Sequence, residues 1–280
     1  MNIKITSDST CDLPGELLEQ YGIDLIPLIV MKDDEEFLDN VTITPGDIFA
    51  HVSAGGSLCS TAARSVAVYE ELFQKYTASH DAIVHVSLGS GFSSSYQNAC
   101  IAAQSFSNVY VVDSQNLCCG QGLVVLKACA LAQQGMEPER IVEELNAYVP
   151  KVETSFVLDR LDYMVKGGRC STVTALGANL LNLKPCIDLV DGKMGVGKKY
   201  RGKFDKCLVN YIQERLKDRQ DIDRSTLVLA STQVEPEILA AVKEAIAQCG
   251  QFDRVVTTVA GCTISCHCGP NTLGIMFARK

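Results

Sequence analysis

No stretch of this 280-residue sequence approaches the roughly 18 uninterrupted apolar residues of a membrane-spanning helix. It also has no low-complexity tract and no run of like charges, so an ordered chain is expected throughout. The first residues, MNIKITSDST, lack the long apolar core of an export signal, and a cytoplasmic location is the expectation. Positive charge is in deficit: 25 Lys and Arg face 33 Asp and Glu, a formal net charge of −8. That balance argues against nucleic-acid binding, whose sequence-independent part depends on basic surface.

Cysteine is abundant, at 13 residues. The odd count, the long chain and the missing export signal argue against a disulfide scaffold, and these cysteines read as thiols. Cys100, Cys129, Cys186 and Cys207 lie among apolar residues, where cysteine packs as a small hydrophobe.

Short β-rich apolar runs (Ile3 to Thr6, Ile23 to Met31, Ala82 to Ser87, Val109 to Val112) alternate with helical-period segments (Val66 to Tyr76, Ser95 to Phe106, Gly122 to Gln134, Pro138 to Val149). That alternation predicts an α/β fold with a mostly parallel, Rossmann-like sheet. After Pro150 the pattern changes. A strand over Thr154 to Leu158 and a short helix over Leu161 to Val165 are followed by a helix-like ALGANLLNL stretch. Strands are then expected at Pro185 to Val190, Leu227 to Ala230, Arg254 to Thr258 and Thr272 to Phe277, with helices at Lys203 to Lys217 and Pro236 to Gln248. We place a boundary near Pro150, giving an N-terminal domain over 1–150 and a C-terminal α/β domain with a mixed sheet over 151–280.

Ligands of such sheets bind in the loops beyond the carboxyl ends of the strands. One of these loops, GSGFSSSY (Gly89 to Tyr96), offers Ser90, Ser93, Ser94 and Ser95 just before a helix. Capping needs one hydroxyl, so four suggest an anion site. Ser60 and Thr61 form a further hydroxyl pair, read as a helix entrance before Val66. GKMGVGKK (Gly192 to Lys199) satisfies GxxxxGK, but Lys199 stands where a P-loop needs Ser or Thr, and a basic β-turn is the better reading.

In SCHCGPNTLG (Ser265 to Gly274), two cysteines flank His267. Read as an extended segment, it turns Cys266 and Cys268 away from the face that His267 presents. With Cys262, the CxxxCxC spacing also departs from the paired CxxC arms of structural zinc sites. No metal site and no cofactor are therefore expected, and His267 is left as a donor to an anion. Basic residues gather at Lys166 to Arg169 and from Lys198 to Lys206, including Arg201, and suggest a docking surface for an acidic or phosphate-bearing partner.

In order along the chain, SDSTCDLP (Ser7 to Pro14), CSTAARSVAVYEELF (Cys59 to Phe73), GSGFSSSYQNA, VVDSQNLCCGQG, KGGRCS, LLNLKPCIDLVDGKM, KKYRGK and HCGPNTLG resemble the DegV family of bacterial fatty-acid-binding proteins. The resemblance implies two α/β domains with a long-chain fatty acid between them. Its carboxylate would be hydrogen-bonded by Thr61, Ser93 and His267. Arg169 and Arg201 would serve partner docking or acyl-phosphate contact. It further implies a non-catalytic carrier, the binding subunit of a fatty acid kinase that makes acyl phosphate for phospholipid synthesis, with transient membrane contact allowed. The alternatives are an acyl transferase or hydrolase using Ser93 and His267, and a lipid-responsive interaction protein. Ser94 and Asn271 stand where many relatives carry glycine.

Overall fold

A computed structural model describes residues 1–174 and 183–280. In chain order its strands are β1 (Ile3–Asp8), β2 (Asp24–Ile26), β3 (Ile29–Lys32), β4 (Glu35–Leu38), β5 (Ser60–Ala62), β6 (Ala82–Ser87) and β7 (Val109–Asp113). They continue with β8 (Val152–Leu158), β9 (Leu183–Val190), β10 (Lys193–Arg201), β11 (Ile222–Thr232), β12 (Arg254–Val259) and β13 (Thr272–Arg279).

The apolar runs β1, β6 and β7 join β2 in a four-stranded, all-parallel sheet of order β2-β1-β6-β7. All six residues of β6 are buried, as a central parallel strand covered on both faces requires. Helices Val66–Thr77, Ser95–Ala103, Cys118–Gln133 and Pro138–Tyr148 provide the crossovers and cover. The later strands build a mixed six-stranded sheet of order β10-β9-β8-β13-β11-β12. A third, antiparallel sheet of order β4-β3-β5 lies in the N-terminal half.

Three sequence expectations change. Ile23 to Met31 is not one strand: β2 ends before Pro27, which has no N–H to give a ladder, and β3 starts a different sheet. Thr61 lies in β5, paired with Val30, rather than at a helix entrance. Residues Cys262–Cys268 form a helix, so the alternation argued for an extended segment does not apply. The helix expected over ALGANLLNL falls outside the described residues except for Leu183, which is in β9. The GxxxxGK segment is a hairpin: β9 and β10 pair antiparallel around Asp191 (φ 49°) and Gly192 (φ 70°), the left-handed pair of a tight hairpin turn.

The largest apolar core runs through both halves of the chain. It joins Val84 and Val86 of β6 and Val124 of the central helix to Phe156 and Leu158 of β8 and Met276 of β13. The Cys262–Cys268 helix, late in the chain, packs on the Pro45–Ser53 helix and on β5. That crossing brings residues from both ends of the chain to one site.

Candidate functional site

Beside β5 lies a cavity of ≈ 120 Å3, lined by the polar residues Thr61, Ser93, Ser94, Arg169, Thr263 and His267 and otherwise by apolar side chains. Leu117, Phe156, Ile264 and Cys268 also border a second, smaller cavity of ≈ 20 Å3 that reaches Ala230 and Met276. Together the two cavities trace an apolar path leading from the polar groups into the main core.

Thr61 and His267 meet directly: Thr61 Oγ1 lies 2.8 Å from His267 Nε2. Burial first, and then the Arg169 charge, hold the imidazole down at about 4, so it is neutral at pH 7. Its buried Nδ1 has no partner among the described residues. That edge of the ring faces Gly167, where a Cβ would come within 2.2 Å of Nδ1. The KGGR motif therefore supplies the gap that admits the ring. Arg169 donates through Nη1 to the Gly167 carbonyl at 2.7 Å and remains exposed.

The helix carrying His267 is fixed from its start. Asp39, buried, accepts from Cys262 N (2.8 Å), Thr263 Oγ1 (2.7 Å) and Ser9 Oγ (2.8 Å), while Asp12 Oδ1 accepts from Gly261 N (3.0 Å). Burial drives the Asp12 carboxyl well above the usual range, and Cys118 and Asp39 add to the effect. Sequence reasoning missed both aspartates. Asp12 lies within the SDSTCDLP motif, whereas Asp39 has no local signal because the helix residues it holds, Cys262 and Thr263, are more than 220 residues away.

The serine loop is held from below by Asp8. This fully buried carboxylate accepts from Ser87 Oγ (2.8 Å), Leu88 N (2.7 Å) and Tyr69 OH (2.7 Å). Burial opposes its charge, but His85 and these donors outweigh burial and lower its pKa. Gly89 lets the loop close on the chain at Asn116, where a Cβ would meet backbone at 2.9 Å. The four serines expected to form an anion site divide their roles. Ser90 is spent on Asp113 through both N–H and hydroxyl, and Ser95 is fully buried. Ser93 and Ser94 reach the cavity, with Ser93 Oγ 2.9 Å from Ser95 Oγ and accepting from Ser95 N at 3.2 Å.

The cysteines of the last motif diverge. Cys262 Sγ reaches Asn40 Oδ1 and the Ile43 carbonyl, Cys266 is buried in a small core with Phe49 and Tyr163, and Cys268 belongs to the main core. The expected separation from His267 holds for Cys266 only: in a helix the neighbouring side chains do not alternate between two faces, and Cys268 borders the same cavity as His267. Ser94 takes an ordinary conformation (φ −76°) that needs no glycine. Asn271 sits at φ 53°, a left-handed position that glycine takes freely and asparagine tolerates, and it does not border the cavity. Arg201, exposed on the edge strand β10, is not among the residues that line the cavity.

An apolar path with hydroxyl, imidazole and guanidinium groups at one end, set among three sheets, defines an α/β protein whose site suits an elongated apolar molecule with a polar head. The DegV family model matches residues 2–280, and the chain belongs to that family. It is 31% identical over 281 residues to a DegV domain-containing protein of Caldanaerobacter subterraneus, covering 99% of each chain. It is also similar in structure to a fatty-acid-binding DegV family protein from Thermus thermophilus (TM-score 0.90, 27% identity, 100% of each chain covered). A third likeness is to DegV, a fatty acid binding protein from Bacillus subtilis (TM-score 0.83, 26% identity, 100% of each chain covered).

Proposed function

We propose that this protein binds a long-chain fatty acid in the apolar path, with the carboxylate at Thr61, Ser93 and His267. The observation that carries this reading is the 2.8 Å pairing of Thr61 with a neutral His267 at the polar end of an apolar cavity. Each buried methylene contributes about 0.8 kcal/mol, so the chain supplies most of the affinity. The head group needs hydrogen-bond donors, because an unpaired buried charge is costly. A neutral imidazole with Nε2 protonated can donate, as can two hydroxyls. The division into domains at residue 150, with ligand between them, belongs to this reading.

The proposed role is that of a non-catalytic carrier. It presents the carboxylate to a separate fatty acid kinase and keeps the acyl phosphate bound for phospholipid synthesis. In this reading Arg169, which lines the cavity and is exposed, contacts the phosphate, and Arg201, exposed on β10, forms part of the docking surface. The site geometry favours holding over nucleophilic chemistry, since the imidazole pairs with Thr61 while Ser93 pairs with Ser95. Organic extraction of the purified protein followed by mass spectrometry tests the carrier: a co-purifying acyl chain, or stoichiometric uptake of added palmitate, is expected. Absence of both would remove the proposal, and multiple turnovers of acyl phosphate without a partner would replace it with an enzyme.

A further inference from the structure

Three consecutive serines lead into the Ser95–Ala103 helix, and they stand at different depths. Ser93 and Ser94 line the cavity, whereas Ser95 is fully buried and is not among the residues that border it. Ser94, the residue before the helix, makes no side-chain cap, so the first helical N–H needs another acceptor. Ser93 supplies it. Its Oγ accepts from Ser95 N at 3.2 Å and lies 2.9 Å from Ser95 Oγ, so one buried residue makes two contacts to a single cavity hydroxyl.

A serine hydroxyl has one proton and two acceptor lone pairs, and the Ser95 N–H occupies one lone pair of Ser93. Either hydroxyl can donate across the 2.9 Å gap. If Ser93 donates, it turns a lone pair toward the cavity, which repels an anion. If Ser95 donates, both lone pairs of Ser93 are taken and its only proton points to the cavity. The loop backbone is not free to re-aim Ser93. Gly89 lies against the backbone at Asn116, and a Cβ at Gly91 would collide with the Gly192 carbonyl oxygen of the β9–β10 turn. What is left to set is the direction of one proton.

We infer that Ser95 is a positioning residue that donates its hydroxyl proton to Ser93 and so commits Ser93 as a donor to ionised head groups. This role rests on the fatty-acid reading above and deepens it, because Ser95 acts through Ser93 and touches no ligand itself. Two effects combine. The Ser95 hydroxyl selects one of the three staggered positions of the Ser93 proton. It and the helix-terminal N–H also polarise the Ser93 O–H, which strengthens the hydrogen bond that Ser93 makes next. A neutral head group that brings its own proton, such as an alcohol, reverses the pair: the ligand donates to Ser93 and Ser93 donates to Ser95. Ser95 therefore confers a preference for a carboxylate over an alcohol on the same alkyl chain.

The test measures the affinities of palmitate and 1-hexadecanol in competition with labelled palmitate. Ser95→Ala removes the hydroxyl and keeps the N–H. Palmitate affinity should fall about three- to tenfold, roughly threefold from the lost proton orientation and the rest from lost polarisation, while hexadecanol affinity stays within about twofold. Ser95→Thr, which keeps the hydroxyl, should restore the preference for palmitate. In a Ser93→Ala background, adding Ser95→Ala should cost palmitate nothing further. Equal losses for the two ligands, additive losses in the double variant, or an unchanged palmitate affinity in Ser95→Ala would each overturn the role of Ser95. Should Ser95→Ala not fold, Ser95→Cys, close in shape and a weak donor, carries the same expectation. A wild type that binds no palmitate would remove the fatty-acid reading and this role together, whereas the outcomes in the variants count against Ser95 alone.

Discussion

Thr61 Oγ1 and His267 Nε2 stand 2.8 Å apart although 206 residues separate them in the chain. The contact exists because a short edge strand of the N-terminal half and a helix from the C-terminal end pack together. Substituting His267 by Ala removes the imidazole while leaving the apolar path intact. Hydrogen bonds to charged groups contribute about 1.5–3 kcal/mol, so fatty acid affinity should fall roughly ten- to hundredfold, as read by calorimetric titration. Cys266→Ser and Cys268→Ser should have smaller effects. Larger losses from the cysteine changes, with zinc co-purifying, would contradict the assignment.

Much of the parallel sheet was legible, because β1, β6 and β7 are apolar runs bounded by loops and their helices keep a clear period. The later strands and helices were found for the same reason. What stayed hidden depended on distant partners. Pro27 divides a continuous apolar run between two sheets, and Ser60–Ala62 is a strand only because β3 offers it an edge. Cys262–Cys268 is a seven-residue helix without an amphipathic repeat long enough to detect. His267, Thr61 and Ser93 were named together only through the resemblance to the DegV family, since the local pattern made Thr61 no more than a cap candidate; all three line one cavity. Asp12, Asp39 and the buried contact of Gly167 with His267 are visible only in three dimensions.

The two glycines of KGGR should respond differently. At Gly167 a methyl group must displace the His267 ring, so Gly167→Ala should weaken fatty acid binding about tenfold with little loss of stability. Gly168, at φ 67° with open space around it, should instead lose about 1 kcal/mol of stability on substitution by Ala and keep its affinity. Paired binding and thermal denaturation measurements separate these outcomes, and equal binding losses would contradict them.

Acid should act through His267. Its pKa falls from the ordinary 6.5 to about 4 on folding, so the unfolded chain takes up this proton first as pH drops. The contribution to stability is complete above 6.5 and is lost progressively between 6.5 and about 4. Between pH 7 and pH 5, wild type should lose about 2 kcal/mol more than His267→Gln in urea denaturation. Parallel losses in the two proteins would contradict the assignment.

Asp12 and Asp39 should tolerate amidation unequally. Asp39 accepts three hydrogen bonds, and an amide nitrogen in its place would face donors. Asp39→Asn should cost about 2 kcal/mol and weaken fatty acid binding by releasing the helix that holds His267. The carboxyl of Asp12 is pushed toward its protonated form, which an amide resembles, so Asp12→Asn should change stability by less than about 1 kcal/mol. Denaturant titration of the two variants checks this order.

The placement of the head group is tested most directly by NMR of palmitate labelled with 13C at its carboxyl carbon. One bound resonance per protein is expected, insensitive to pH across the range where free carboxylic acids titrate, and shifted or lost in His267→Ala. A bound resonance that titrates like the free acid, or is unchanged in His267→Ala, would place the carboxylate elsewhere and contradict the site at Thr61, Ser93 and His267.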